Sequence, residues 1–330
     1  MNRELENDDA WEHYLGLTPK RLAQWLREKG GIVGQDEAIK AASLILFNHA
    51  NKRRSVNLFI GNSGCGKSHI WKVLQAELGA QKVLIYDSSM ITIDGYSGST
   101  KISSIFKSLP PEHRERIILV LDEFCKILEP QHGNHGTDYS ALLQNQLLRL
   151  FNGDTMTFAG EDGFSVDTSK ISIVLLGAFQ NIRDKKNRSN ALTGVIGFGR
   201  QPHSECNTDN AKITIEDLIH FGMRREIAGR INRIVYLNPL SIEDLTHIGQ
   251  QEIRNLEKQL CRSISVDSNV LFDLACKAEK KGLGARWLKS QLNNALDNLL
   301  YENPHAEHFI IDFTALYGEK QNQIVVSCME

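Results

Sequence analysis

Hydrophobic positions along the chain follow two regimes. In the first they come as short near-continuous runs, Val56 to Gly61, Val83 to Asp87, Ile117 to Asp122 and Ile171 to Gly177, alternating with helical spacing. Such runs predict strands buried on both faces, which means a parallel sheet covered by helices and an α/β fold. In the second regime, from Leu240 to Leu316, apolar residues recur at helical spacing, with no strong strand before Phe309 to Phe313. That predicts a smaller, mostly helical domain. The boundary falls at Asn238-Pro239-Leu240-Ser241, giving an N-terminal tail over 1–15, a large domain over 16–238 and a small domain over 239–330. Thr18 to Arg54 reads as helices interrupted by Gly30-Gly31-Ile32-Val33-Gly34. Asn181 to Lys212 is polar apart from one apolar knot, Val195 to Phe198, and loops of that length are functional or disordered.

The chain has 330 residues, 41% of them hydrophobic, enough for a large core. Its 38 basic and 40 acidic residues give a net charge of −2, so composition offers no reason to expect a bulk nucleic-acid binder or a polybasic membrane binder. The longest apolar runs fall well short of the roughly 20 residues needed to cross a bilayer. The acidic start, MNRELENDDAWEH, lacks the apolar stretch of a signal peptide, so a cytoplasmic location is expected. Six scattered cysteines without a CxxC pair indicate neither a zinc module nor a disulfide framework.

Composition leaves function open, and local chemistry narrows it. Gly61-Asn62-Ser63-Gly64-Cys65-Gly66-Lys67-Ser68 satisfies the P-loop pattern between a predicted strand and a predicted helix. Its glycines let backbone N–H groups wrap phosphates, Lys67 reaches the outer phosphates, and Ser68 ligates Mg²⁺. Downstream, the strand Ile117 to Leu121 runs into Asp122-Glu123, two carboxylates at the strand edge where α/β folds bind ligands. Asp122 is expected in the Mg²⁺ shell and Glu123 as the general base for water, so ATP and Mg²⁺ are the expected substrate and cofactor.

With these motifs in place the chain resembles the AAA+ ATPases, and within them the ClpX protein unfoldases, with HslU a near relative. The likeness runs from about Thr18 to about Leu300. Ile32-Val33-Gly34-Gln35 looks like the lead-in whose Ile-Val pair sandwiches adenine. Val166 to Ile171 and Gly177-Ala178-Phe179 are similar to the strand that leads to sensor 1. Glu226 to Arg230 resembles the arginine-finger segment, and Gly284-Ala285-Arg286 the sensor 2 motif. The resemblance implies a P-loop AAA+ domain with a small helical C-terminal domain, assembled as a homo-hexameric ring. Arg230 would stabilise charge on a neighbouring subunit's nucleotide, and Arg286 would touch the same nucleotide in cis. Asp94-Gly95-Tyr96-Ser97-Gly98 stands at the axial pore loop, where Tyr96 would grip a protein substrate; the competing reading is a tight turn with a packed tyrosine. Ile196-Gly197-Phe198, followed by Gly199, matches the tripeptide that docks on a ClpP-type peptidase.

Departures from the family pattern sharpen the expectation. Residues 1–17 hold no cysteine, so the family's cysteine-rich zinc module is not expected before Thr18; Leu176 occupies the position aligned with the polar sensor 1 residue, and Thr155 to Ser165 replaces a basic pore-entrance loop with one carrying Glu161 and Asp162. No peptidase motif is found, and His203 with Cys206, or His132 with His135, read as solvated loop residues. The expected activity is ATP-dependent unfolding and translocation of protein substrates with delivery to a ClpP-type peptidase. A stand-alone remodeller and a nucleotide-dependent regulator of a resident ClpX stay open beside it.

Overall fold

The computed structural model describes residues 16–92, 100–129, 138–159, 163–182 and 212–317. The chain divides into two compact units, one of Met1–Leu26, Glu37–Gly61 and Lys67–Tyr236, the other of Arg27–Asp36, Asn62–Gly66 and Leu237–Glu330.

The first unit is built on five parallel strands: β1 Val56–Ile60, β2 Val83–Asp87, β3 Ile118–Asp122, β4 Ser172–Gly177 and β5 Arg233–Tyr236. Their order is β2-β3-β4-β1-β5. Every residue of β1 and β4 is buried, as an apolar run covered on both faces requires. The α/β parallel sheet read from the sequence is present. The fifth strand is not legible in the hydrophobic pattern, because β5 is a four-residue edge strand with Arg233 exposed. Large side chains fill the layers on the sheet: Phe59 meets Trp71 edge-on at 5.6 Å between ring centroids, and Phe124 meets Phe151 at 6.1 Å. Register aligns the strand ends that matter. Ile60 of β1 pairs with Gly177 of β4, and Leu121 of β3 with Leu175 of β4, so the chain leaves β1 and β3 at the same sheet edge with β4 between them.

One element departs from the sequence reading. Thr155–Phe158 and Phe164–Asp167 form an antiparallel ribbon, which the placing of Thr155 to Ser165 at a pore-entrance loop does not anticipate. The cause is a period-two alternation: Met156 and Phe158 are buried while Thr155 and Thr157 are exposed. Phe158 packs on Phe164 at 5.0 Å, and the Arg114 guanidinium lies 4.5 Å over the Phe164 ring. Glu161 and Asp162 lie outside the described residues.

The second unit packs three helices, Ile242–Leu260, Ser268–Lys280 and Gly284–Glu302, against two parallel strands, Ser263–Val266 and His308–Ile311. Ser241 and Asp244 form a reciprocal capping box that starts the first helix. A Cβ at Gly249 would come within 2.5 Å of Leu271 Cδ1, so the lack of a side chain lets two of these helices approach closely. Both inserted segments are tied to this unit by hydrogen bonds. Gln35 clasps the backbone of Asn238, donating to its carbonyl at 2.7 Å and accepting from its N–H at 3.1 Å. Gly64 O accepts from Ala285 N–H at 3.3 Å.

Candidate nucleotide site

The P-loop segment leaves β1 by extending its ladder, with Gly61 N–H donating to Gly177 O at 3.3 Å. It then turns through Gly64 (φ 76) and Gly66 (φ 100), left-handed positions that favour glycine. Space adds a second demand at Gly64, where a Cβ would lie 2.6 Å from Leu283 O. Nothing lies within 4 Å of a Cβ built at Gly66, so at that position the conformation alone selects glycine. Of the intervening residues Cys65 is buried, Asn62 is half-buried and Ser63 is exposed.

Lys67 opens the helix Lys67–Leu78, whose N-terminus carries the positive end of the helix dipole and so suits an anion. The side chain of Lys67 is buried, and its Nζ donates to Gly61 O at 2.7 Å, folding the ammonium across the loop. Ser68 is half-buried in the same turn. Glycine backbone, helix N-terminus, ammonium and hydroxyl together suit a nucleotide triphosphate with its divalent cation.

Across β4, the C-terminal end of β3 presents Asp122, half-buried, and Glu123, exposed. Glu123 has φ 53, an uncommon backbone state for a side chain other than glycine. Its neighbours hold it there: Glu123 N–H donates to Asp122 Oδ1 at 3.0 Å, Lys126 N–H to Glu123 O at 2.9 Å, and Phe124 N–H to Leu176 O at 2.8 Å. Phe124 is fully buried, so the turn that exposes the glutamate is anchored by the core. Leu176, at the sensor 1 position, is itself fully buried and contributes its carbonyl to this turn.

The other candidates sit apart. Ile32 is buried and Val33 half-buried in the segment that Gln35 ties to Asn238. Arg286 is exposed in the first turn of the helix Gly284–Glu302, beside the Gly284 that touches Gly64. Arg230 is exposed just beyond the helix Arg225–Ala228. Tyr96 and the tripeptide Ile196-Gly197-Phe198 lie outside the described residues. Sequence reasoning misses Gln144, which is buried and donates to Gly222 O while accepting from Arg224 N–H, both at 2.9 Å. It thereby secures the turn that leads to Arg230. The available signal is an amide on the buried stripe of Tyr139–Asn152, where an apolar residue is the default.

Comparison with known proteins agrees with this geometry. The family model described as "ATPase family associated with various cellular activities (AAA)" matches residues 57–196, a span that holds the P-loop and Asp122-Glu123. The chain is a ClpX-like AAA+ protein. It is 28% identical to "ATP-dependent Clp protease ATP-binding subunit ClpX" of Borrelia duttonii over 331 residues, covering 88% of this chain and 75% of that protein. The ClpX proteins of Treponema denticola and Bacteroides thetaiotaomicron are 27% and 26% identical, over 87% and 88% of this chain and 77% and 78% of theirs. The likeness therefore extends well beyond the AAA domain into the second unit, and the chain is an AAA+ ATPase of the ClpX type. Among the described residues no helix is long and apolar enough to cross a membrane.

Proposed function

We propose that this protein is an ATP-driven unfoldase and translocase working as a homo-hexameric ring on protein substrates. The observation that carries the reading is the sheet edge: the P-loop leaves β1 and Asp122-Glu123 leaves β3, one strand apart, with Glu123 turned out by a core-anchored backbone. Gly61, Asn62, Ser63, Gly64, Cys65 and Gly66 would wrap the phosphates of ATP, Lys67 would bind the outer ones, and Ile32 and Val33 would hold the adenine. Ser68 and Asp122 would hold Mg²⁺, which supplies charge neutralisation at the transferring phosphoryl group. Glu123 takes a proton from water as the water oxygen attacks the γ-phosphorus, and the bond to the β,γ-bridging oxygen breaks with its electrons leaving on ADP. Arg230 from the adjoining subunit stabilises the charge on the γ-phosphoryl oxygens, and Arg286 reads the same nucleotide in cis. Tyr96 grips the substrate in the pore. Ile196, Gly197 and Phe198 supply the contact to a ClpP-type peptidase, in keeping with the relatives' name as ATP-binding subunits of a Clp protease.

The test is the Glu123→Gln variant. It is expected to bind ATP with unchanged affinity and to lose hydrolysis by on the order of a hundredfold or more. Hydrolysis at the wild-type rate would remove the glutamate from the mechanism. Stimulation of wild-type ATPase by an unfolded protein supports the unfoldase reading, and stimulation by DNA alone overturns it.

A further inference from the structure

Gln144 carries an amide into an apolar layer. It shares the buried face of the helix Tyr139–Asn152 with Leu143, Leu147, Leu150 and Phe151, and is itself 2% exposed. A buried amide is tolerated where its hydrogen bonds are made, and this one has partners on both its polar atoms. Its Nε2 donates to Gly222 O at 2.9 Å and to Ser140 Oγ at 3.2 Å, and its Oε1 accepts from Arg224 N–H at 2.9 Å. Ser140 is buried as well, and its hydroxyl donates to Ile127 O at 2.6 Å.

These bonds reach two segments of the candidate site. On one side, Ile127 lies in the short helix Cys125–Leu128 that follows Glu123, whose carbonyl accepts from Lys126 N–H at 2.9 Å. On the other, Arg224 caps the helix Arg225–Ala228 through its backbone, without a side-chain bond: its carbonyl accepts from Ile227 N–H at 3.1 Å and from Ala228 N–H at 3.0 Å. The helical turn then runs on without a break, Arg230 N–H donating to Ile227 O at 2.9 Å and Ile231 N–H to Ala228 O at 3.2 Å. Gly222 (φ 122) brings its backbone close to the helix behind Glu123, since a Cβ there would lie 2.6 Å from Leu128 O. Arg230 therefore stands at the end of a hydrogen-bonded turn whose start is held by Gln144.

We infer that Gln144 is a positioning residue for Arg230, the internal template on which the Gly222–Arg224 turn closes and which thereby sets where the guanidinium is presented to the adjoining subunit. A helix of four residues has too few internal bonds to hold its own position. Without the amide, Gly222 O and Arg224 N–H lose their shared partner in a buried place, and the turn shifts to satisfy them elsewhere. Arg230 moves with the turn, and misplacing a group by about 1 Å at a reacting centre is enough to lower the rate on the order of a hundredfold. The inference rests on the reading of Arg230 as a trans-acting finger. It also separates two kinds of damage. A misplaced finger spoils the neighbour's site, whereas a disturbance passed through Ser140 and Ile127 to the turn at Glu123 would spoil the subunit's own.

The experiment measures steady-state ATPase, kcat and KM separately, for the full chain in assembled rings. Gln144→Met, which keeps the volume and removes every hydrogen bond of the amide, is expected to lower kcat about tenfold or more, with KM for ATP within about twofold. Mixed rings locate the defect. Gln144→Met joined with Lys67→Ala is expected to recover activity above the sum of the two alone, because the Lys67→Ala subunits offer intact fingers to the intact pockets of Gln144→Met. Joined with Arg230→Ala, which shares the defect, it is expected to recover none. An unchanged kcat in Gln144→Met overturns the inference. So does a loss that Lys67→Ala subunits fail to repair while the Arg230→Ala and Lys67→Ala pair recovers, since the damage then lies in the subunit's own pocket. Recovery with Arg230→Ala overturns it as well, by showing the finger of Gln144→Met to be in place. Should Gln144→Met fail to assemble, the same mixing is done with Gln144→Asn, whose amide is a methylene short of spanning Gly222 O and Arg224 N–H; a wild-type kcat there leaves Gln144 a folding role and overturns the inference. Failure of the Arg230→Ala and Lys67→Ala control to recover rejects the finger reading itself, and the positioning role with it.

Discussion

Glu123 shows how much a single residue can depend on its surroundings. A left-handed backbone at a glutamate costs on the order of 1–3 kcal/mol and persists only where neighbouring groups over-determine it. Here they do, through the Asp122 carboxylate, the Leu176 carbonyl and the buried Phe124 ring. The strain has a use, since it is what exposes the carboxylate at the sheet edge. His49 illustrates the opposite case, a titratable group with no part in the site. It lies buried with Nδ1 3.0 Å from Ser172 Oγ, and burial, followed by the Arg116 charge, lowers its pKa from 6.5 to about 4. The unfolded chain takes up this proton below about pH 6.5, the folded chain only near pH 4, so folding stability is full above pH 6.5 and falls as pH drops through that window. The loss by pH 4 is expected to be about 3 kcal/mol. Urea unfolding of wild type and His49→Gln between pH 7 and pH 4 checks it. The variant should lack that part of the slope, and parallel curves would show that His49 carries no such linkage.

Among the elements, local chemistry sets where helices begin, and packing sets what they touch. Ser241 accepts from Asp244 N–H at 3.1 Å, and Asp244 accepts from Ser241 N–H at 3.1 Å, satisfying donors that the first turn of Ile242–Leu260 leaves open. Ser241→Ala is expected to destabilise the protein by about 1 kcal/mol, read as a lowered denaturation midpoint with unchanged m-value. A cost within error of zero would mean that the helix start is held by Gln35 and Asn238 instead. The back-to-back approach of Gly64 and Gly284 follows a different rule. Each is left-handed, and a Cβ on either would meet backbone of the other segment at under 3 Å. This pair links the P-loop turn to the N-terminus of the helix that carries Arg286.

For the whole molecule, the decisive question is whether one chain suffices for catalysis. Arg230 is exposed, and Lys67 is buried beside the P-loop of the same chain. If the finger acts across a subunit boundary, Arg230→Ala and Lys67→Ala chains are each inactive alone and regain part of the activity when mixed. Some interfaces then join an intact pocket to an intact finger. The measurement is ATPase of mixed rings, with subunit exchange and assembly verified, across a range of mixing ratios. Activity that never exceeds the sum of the separate variants would place Arg230 outside the neighbouring site.

What the sequence alone determined is local in character. Near-continuous apolar runs declare strands of a covered parallel sheet, and a glycine-rich turn ending in Lys67-Ser68 marks the proposed phosphate site, because periodicity and turn chemistry act within a few residues. Glu123 was legible as a carboxylate at a strand end, though its left-handed backbone was not. Tertiary structure alone decided the strand order that puts β4 between the two motifs, the edge strand β5, and the parallel pairing of Ser263–Val266 with His308–Ile311. It also decided that Gly64 lies against Gly284. These partners are far apart along the chain and meet only through register and packing, and no local preference of either residue carries that information.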